Sequence, residues 1–586
     1  MNDSTSSTSK DTTVTPHWRI KPSAPHDYIE ASGRSPLVAQ LLFNRGISVD
    51  DVQAFLKPDT FREPDPFLLP DMDRAVHRIL RAIMRGETIG VFGDFDVDGM
   101  TATTILHEAL TGLNANTVTF IPNRFTQGHG LHASGIEYLK DKGASLVITC
   151  DCGISDLAEA DKAAAMKVDL IVTDHHVPLA RLPRAVAVVN AKRRGSRYPF
   201  TEFAGCGIAF KVMQAVYQDR DPSRLEPLLE LVALGTVADM VALIGENRAL
   251  VHRGLRVLNQ TTRRGLQALI QVSGLTPGGI TSGDISWALG PRINSSGRME
   301  STFIAGTDEV DPSAVGTNTS LRLLMTSDAD DAQRLAAELN EINGERQQRT
   351  TEVYDKVSER IVARGERMLI FDADPSYEEG VIGLVAGKVS KECYRPAVVV
   401  TSGESLCRGS ARSIPEFDLA AALEQCSDLL VSYGGHPLAA GFSVTPRNLP
   451  RLEERLVALA EERLTGLDLH PRIEVDAETR LKDLGAESYR DMRALEPFGQ
   501  QNLEPCFLTR NVEVVECHSF RNHEKWASLQ LRQNGTTLEA VDFRTLRGPD
   551  DIPKLIDLIY NLRLRRWNGV ESLQAHVLDL APSGLD

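Results

Sequence analysis

The chain has 586 residues, 80 of them acidic against 64 basic, for a formal net charge of −16, and 42% are hydrophobic. That length exceeds a single core and predicts three or four domains. The acidic balance excludes a general electrostatic grip on nucleic acid or an anionic membrane, so any polyanion must be held locally.

The opening MNDSTSSTSKDTTVTP is rich in Ser and Thr and has no apolar signal-peptide core, which predicts a disordered tail over residues 1–16. An N-terminal segment occupies 17–70. No apolar run spans a bilayer, and eight cysteines without a CxxC pair read as the reduced thiols of a cytoplasmic protein with no membrane contact.

From Thr88 the chain alternates short apolar runs (TIGVF, TVTFI, SLVIT, VDLIVT, AVAVV) with helical patterns, predicting an α/β domain with a parallel, doubly wound sheet over 71–310. Ligands of such sheets bind beyond the carboxyl ends of the strands. The residues just after each run are therefore informative: Asp94, Asp96 and Asp98 after the first, Asn123 and Arg124 after the second, and Asp151 after the third. Asp174, His175 and His176 come after the fourth, and Asn190 after the fifth. Every polar cluster falls on one edge.

Further along, ELVALGTVADMVAL sets one acid, Asp239, in an apolar helix, where it must be paired, capped or metal-bound. Over 311–365 a long helix has a middle, NGERQQRTTE, without an apolar face, as expected of a connector between domains. A second, smaller α/β domain is expected over 366–460, with loops at RGSARS and GGHPLAAGF. Short alternating runs over 472–586 (VEVVEC, ASLQLR, LIYNLRLRRW, LQAHVLDL) predict a small β-barrel.

D-x-D-x-D-G also opens a calcium EF-hand loop, but the twelfth position counted from Asp94 is Ile105, which cannot ligate. Gly93 and Gly99 make neither a P-loop nor a dinucleotide fingerprint, and an acidic loop repels phosphate unless a cation intervenes. Six aspartates (94, 96, 98, 151, 174, 239) with His175 and His176 exceed what one ion needs. Oxygen-rich ligands with imidazole suit Mn²⁺ or Mg²⁺, and shared carboxylates hold two ions about 3.5 to 4 Å apart in phosphoryl-transfer sites. Asp94 and Asp174 are the acids expected to play a structural part. Arg292 and Arg298 in GPRINSSGRM, and Ser410 and Arg412 in RGSARS, are suited to grip phosphate.

GDFDVDGMTAT, PNRFTQGHGL, TCDCGIS, VTDHH, LGTVADMVAL, GPRINSSGRM, RGSARS, YGGHPLAAGF and LEPFGQQNLEPCF, in this order, resemble the bacterial single-strand exonucleases of the DHH phosphoesterase family. The resemblance covers nearly the whole chain from Trp18. It implies an enzyme that degrades single-stranded DNA from the 5′ end to mononucleotides in repair and recombination, with two Mn²⁺ or Mg²⁺ ions. Position by position it implies metal ligation by Asp96, Asp98, Asp151, His175 and Asp239, with Asp94 and Asp174 close by; His176 is a further catalytic candidate. It further implies a substrate-phosphate role for Arg124, Arg292, Ser410, Arg412 and His436, and Asn123, Asn294 and Arg298 are further candidates for substrate binding. The barrel is then an oligonucleotide-binding fold in which Phe498, Phe520, Trp526 and Trp567 lie near Arg521, Lys525, Arg563 and Arg565, and Trp567 is the expected stacking contact. A helicase and a single-strand-binding protein are expected partners of a monomeric enzyme. Cys152, His129 and Ala411 depart from the family pattern, which has Asn, Tyr and Gly there. Cys152 is expected to alter hydrogen bonding to a ligand acid, and Ala411 to stiffen a phosphate loop. Two other readings stay open: a phosphoesterase acting on short oligonucleotides, and a non-catalytic scaffold that binds single strands.

Overall fold

Five runs of apolar residues become five parallel strands because each is covered by helices on both faces and can be apolar throughout. In this computed structural model, which describes residues 16–299, 318–365, 367–520, 523–543, 552–567 and 570–584, the strands are Thr88–Phe92, Asn116–Phe120, Ala144–Cys150, Asp169–Thr173 and Ala187–Val189. Their spatial order is second, first, third, fourth, fifth. Ile89 and Val91 pack with helices Met72–Arg85, Val97–Thr111, Gly205–Val216 and Leu229–Ala238 on one face. Phe92, Val147 and Val172 pack with helices Ala133–Asp141 and Leu157–Ala165 on the other. This order reverses direction between the first and third strands, where a doubly wound sheet opens its binding crevice.

The chain divides into two compact units. One comprises Asp50–Gly344 and Ala494–Glu504 and contains the parallel sheet. The other comprises Met1–Val49, Glu345–Arg493 and Pro505–Asp586. The helix Ala329–Arg364 carries the chain from one to the other, and the division falls inside its polar middle at Gly344. The strap Ala494–Glu504, expected within the barrel domain, belongs instead to the unit with the parallel sheet. Arg248 donates to the carbonyls of Ala494 (3.1 Å) and Glu496 (2.8 Å), and Leu243 N–H donates to Gln500 O (2.8 Å). Phe498 is thus no part of the barrel.

In the other unit, a five-stranded sheet joins Ile370–Asp374, Ala397–Thr401, Cys407–Arg412, Leu430–His436 and Ala439–Val444. RGSARS and GGHPLAAGF therefore lie mostly in antiparallel strands and are not the expected loops: Ser410 pairs with Gly441 and Val399, and Arg412 with Ala439 and Ala397. The period-2 burial of Cys407–Arg412 is the signal that its small residues masked. Ala411 is buried in the core of this sheet, so it fills a packing position and stiffens no loop.

Strands Phe507–Phe520, His523–Gln533, Thr536–Asp542, Val570–Pro582 and Leu555–Trp567 close into a five-stranded barrel through pairing of the first with the last, and Ala477–Glu478 is added at its edge. Trp526 packs edge-on against Phe543 (5.2 Å between centroids), and Arg565 pairs with Glu539 (2.9 Å). The side chains of Phe520, Arg521, Lys525 and Trp567, like residues 1–15 and 300–317, lie outside what the structure describes. Among the described residues, no helix is long and apolar enough to cross a membrane. All eight cysteines are free thiols.

Candidate metal centre

The acidic loop leaves the first strand at Gly93 and enters the helix Val97–Thr111 with Asp96 as its cap, the carboxylate accepting from Gly99 N–H at 3.0 Å. One residue into the helix, Asp98 is buried and accepts from the amides of Gly205 (2.5 Å) and Cys206 (2.8 Å), which open the helix Gly205–Val216. The positive end of that second helix thus fixes Asp98. Asp151, at the tip of the third strand, is held at φ +63°, a left-handed conformation that a side chain adopts only when its surroundings enforce it. A Cβ at Gly205 would lie 2.6 Å from that of Asp151, so only glycine lets this helix approach.

These loops converge on His175. Its Nε2 lies 3.1 Å from Asp151, 3.6 Å from Asp239 and 3.9 Å from Asp98. On this edge of the sheet three ligand sets have donor atoms within 4.8 Å of one another: Asp94, Asp96 and Asp151; Asp98, His175 and Asp239; and Asp151, His175 and His176. Asp151 is shared between sets. Asp94 Oδ1, Asp151 Oδ1 and both nitrogens of His175 are buried without a hydrogen bond. Buried oxygens and a ring nitrogen that face one another unbonded are costly unless a cation lies among them, so this donor set fits divalent metal ions.

Electrostatics agree. Burial, reinforced by neighbouring aspartates, raises Asp151 well above the ordinary carboxylate range, and raises Asp96 to about 6. Asp239 is pushed up to about 9, chiefly by burial and Asp98. It stands at the carboxyl end of helix Leu229–Ala238, where the helix dipole disfavours an anion. Burial lowers His175, leaving the neutral imidazole that a metal needs. Asp174 serves a different end. It accepts from Ile154 N–H (3.0 Å), His175 N–H (2.7 Å), His176 N–H (3.0 Å) and His176 Nδ1 (2.8 Å), tying the loops after the third and fourth strands together. Burial opposes its ionisation, but the bonds from His176 outweigh that and lower its pKa. In return they raise His176 to about 9, which favours its protonated form at neutral pH when no metal is bound.

Residues 88–236 match the DHH family N-terminal domain, 365–462 the DHHA1 domain and 475–579 the RecJ OB domain. The single-stranded-DNA-specific exonuclease RecJ of Bacillus subtilis (strain 168) is 35% identical over 555 residues, covering 94% of this chain and 68% of its own. The chain belongs to the RecJ family. RecJ of Salmonella typhimurium (strain LT2) is 30% identical over 539 residues, 88% of this chain and 91% of that protein. The structure of RecJ in complex with Mn²⁺ from Thermus thermophilus matches with a TM-score of 0.80 at 27% identity, over 97% of this chain and 80% of that one.

Around the centre of this RecJ family member, the remaining candidates take different places. Asn294 accepts from Val97 N–H (3.1 Å), so it braces the acidic loop. Asn123 likewise accepts from Phe125 N–H (2.9 Å) and Thr126 N–H (3.1 Å), shaping its own loop. Arg124 lies over the Phe95 ring at 5.3 Å, and Arg292 donates to Asn340 (3.0 Å) and Ala288 O (2.9 Å). Arg298 is in the last turn of helix Gly290–Met299. His129 bonds Asp94 Oδ2 through Nδ1 (2.8 Å) and packs on Phe95, so the departure from Tyr keeps a polar group on Asp94. Cys152 is buried in the apolar cluster with Phe92 and Phe120, a packing position. In the other unit, Ser410 and Arg412 lie along a glycine face of helix Glu379–Cys393: a Cβ at Gly383 would be 2.9 Å from Ser410 Oγ. His436 is exposed at the end of its strand. The amides of Gly205 and Cys206 that hold Asp98 were missed from sequence, where only the glycines before an apolar helix could have hinted at them.

Proposed function

We propose that the chain is a Mn²⁺- or Mg²⁺-dependent exonuclease that degrades single-stranded DNA from the 5′ end to mononucleotides, serving DNA repair and recombination. The observation that carries this reading is the set of unbonded, buried ligand atoms on the edge of the sheet, in a chain whose relatives are named single-stranded-DNA-specific exonucleases. Asp94, Asp96, Asp98, Asp151, His175 and Asp239 would hold two ions. When bound, such ions supply an activated water and neutralise charge on the scissile phosphate. The protein's own groups do the rest. Asp98 is anchored by helix amides, and Asp174 orients both histidines. His176, kept protonated by Asp174, offers a proton or a hydrogen bond to a phosphate oxygen. Arg124, Arg292 and Arg298, with Ser410, Arg412 and His436, bind phosphates along the strand, while Asn123 and Asn294 position the loops that touch it. Trp567 stacks a base. The same reading has the enzyme cytoplasmic and monomeric, fed by a helicase and meeting a single-strand-binding protein.

The test is single- and double-stranded DNA labelled at either end, incubated with Mn²⁺, Mg²⁺ or chelator. The expected result is mononucleotide release from the labelled 5′ end of single strands only, and none in chelator. Cleavage of only the shortest oligonucleotides, or binding without cleavage, contradicts the proposal.

A further inference from the structure

Trp287 is 83% exposed, the one exposed tryptophan among the described side chains. An indole left in water forfeits the burial that makes tryptophan a core or interface residue. Its neighbours Ile285 and Leu289 are fully buried, so the element is firmly seated and the exposure of Trp287 is not fraying. The turn Ile285–Leu289 is wound as a π-helix, closed by Gly290 N–H donating to Ile285 O, a geometry often found at functional sites. A Cβ at Gly290 would sit 3.0 Å from that carbonyl and 3.6 Å from the Cβ of Ala238, the residue before Asp239. The turn bearing Trp287 therefore rests on the end of the helix that delivers Asp239. Gly290 is three positions beyond Trp287, less than one helical turn away. The same helix sends Asn294 to Val97 N–H, between Asp96 and Asp98, and carries Arg292. Met240, next to Asp239, is itself 65% exposed and held at φ +58°. An apolar, π-faced rim thus adjoins the acidic centre on a rigid piece of the fold.

We propose that Trp287 is a stacking platform for a nucleobase of the single strand whose phosphate is at the metal centre. This rests on the exonuclease reading and deepens it by naming a base contact. Phosphates are drawn to the cations and to arginine, while the bases of an unpaired strand turn outward, where a flat indole accepts any of them without reading sequence. A duplex, whose bases are stacked on one another, offers no free face.

The experiment uses the full chain with Mn²⁺ on an oligothymidine and on the same oligonucleotide with abasic residues at its 5′-terminal positions. Trp287→Ala is expected to raise KM on the base-bearing strand about tenfold, Trp287→Phe to restore most of the loss, and Mn²⁺ affinity and thermal unfolding to stay unchanged. On the abasic strand the wild type is expected to be weak already, and Trp287→Ala to change it less than twofold. An equal loss on both strands overturns base stacking. No loss on either, with the wild type active, leaves the exonuclease reading standing and assigns Trp287 to another occupant such as a partner protein. A wild type inert on both strands takes down the exonuclease reading and this inference together.

Discussion

Replacing Asp151 by Asn should reverse the order of stability between wild type and variant according to whether metal is present. Without metal, Asp151 is buried among Asp98, Asp96, Asp239 and Asp94, all of which push its pKa up. Its ligand atom lies within 4.8 Å of those of Asp94 and Asp96. At that separation and an effective dielectric of about 20, an ionised pair repels by roughly 3 kcal/mol. If Asp151 keeps a proton instead, folding loses about 1.4 kcal/mol for each pH unit above the unfolded value of 3.8. Either way Asn removes the penalty, and Asn tolerates the left-handed backbone at this position as well as Asp does. After relaxation, a gain of about 1 to 2 kcal/mol is expected, raising Tm by roughly 2 to 4 °C for each. With Mn²⁺ at a hundred times the wild-type Kd, the wild type gains about 2.7 kcal/mol; a variant bound a hundredfold more weakly gains only about 0.4. Thermal unfolding at pH 8 in chelator and in Mn²⁺ reads both effects. A variant less stable than wild type in chelator, or one stabilised by Mn²⁺ as much as wild type, would refute this account of the cluster.

The raised carboxylates also fix a pH dependence. Asp96 and Asp239 bind protons more tightly folded than unfolded, so their contribution is fully present below about pH 4 and is lost as pH rises toward 6 for Asp96 and toward 9 for Asp239. The metal-free chain should therefore lose stability with rising pH, while apparent Mn²⁺ affinity climbs about tenfold per unit between 6 and 9 as the Asp239 proton is displaced; a flat affinity profile speaks against Asp239 as a ligand. Asp174→Ala should leave three amides without an acceptor, two of them buried, lowering stability by about 2 to 6 kcal/mol in urea unfolding and returning His176 toward its ordinary pKa in an NMR titration; unchanged stability means that Asp174 is no strut. Arg412→Ala should lower kcat/KM on 5′-phosphorylated single strands by roughly ten- to a hundredfold, the worth of a charge-assisted phosphate contact, with Mn²⁺ binding unaltered. Equal loss on 5′-hydroxyl strands would move Arg412 to an internal phosphate.

The acidic edge was legible because parallel strands buried on both faces leave unbroken apolar runs, and each ends at the polar residue it presents. Asp94, Asp96, Asp98, Asp151 and His175 could thus be grouped before any coordinates, and Asp239 joined them as the one acid of an apolar helix, though together they span 146 positions from Asp94 to Asp239. What stayed hidden depends on approach between distant segments. Asp98 meets the amide of Gly205, 107 residues away, and Asn294 reaches Val97 from 197 residues away; no local pattern encodes either bond. The strand Cys407–Arg412 read as a loop because Gly, Ser and Ala weaken the alternation that marks a strand. The strap Ala494–Glu504 lies just before the barrel strands in sequence, yet its carbonyls are satisfied by Arg248 and Leu243 of the unit with the parallel sheet. The domain limits drawn from composition could not foresee that excursion.

Anomalous diffraction at the manganese edge from crystals of the chain grown with Mn²⁺ tests the metal centre most directly. Two peaks about 3.5 to 4 Å apart are predicted, one among Asp94, Asp96 and Asp151 and one among Asp98, His175 and Asp239, with Asp151 reaching both. A single peak, or peaks away from these residues, would contradict a two-ion centre on the edge of this sheet.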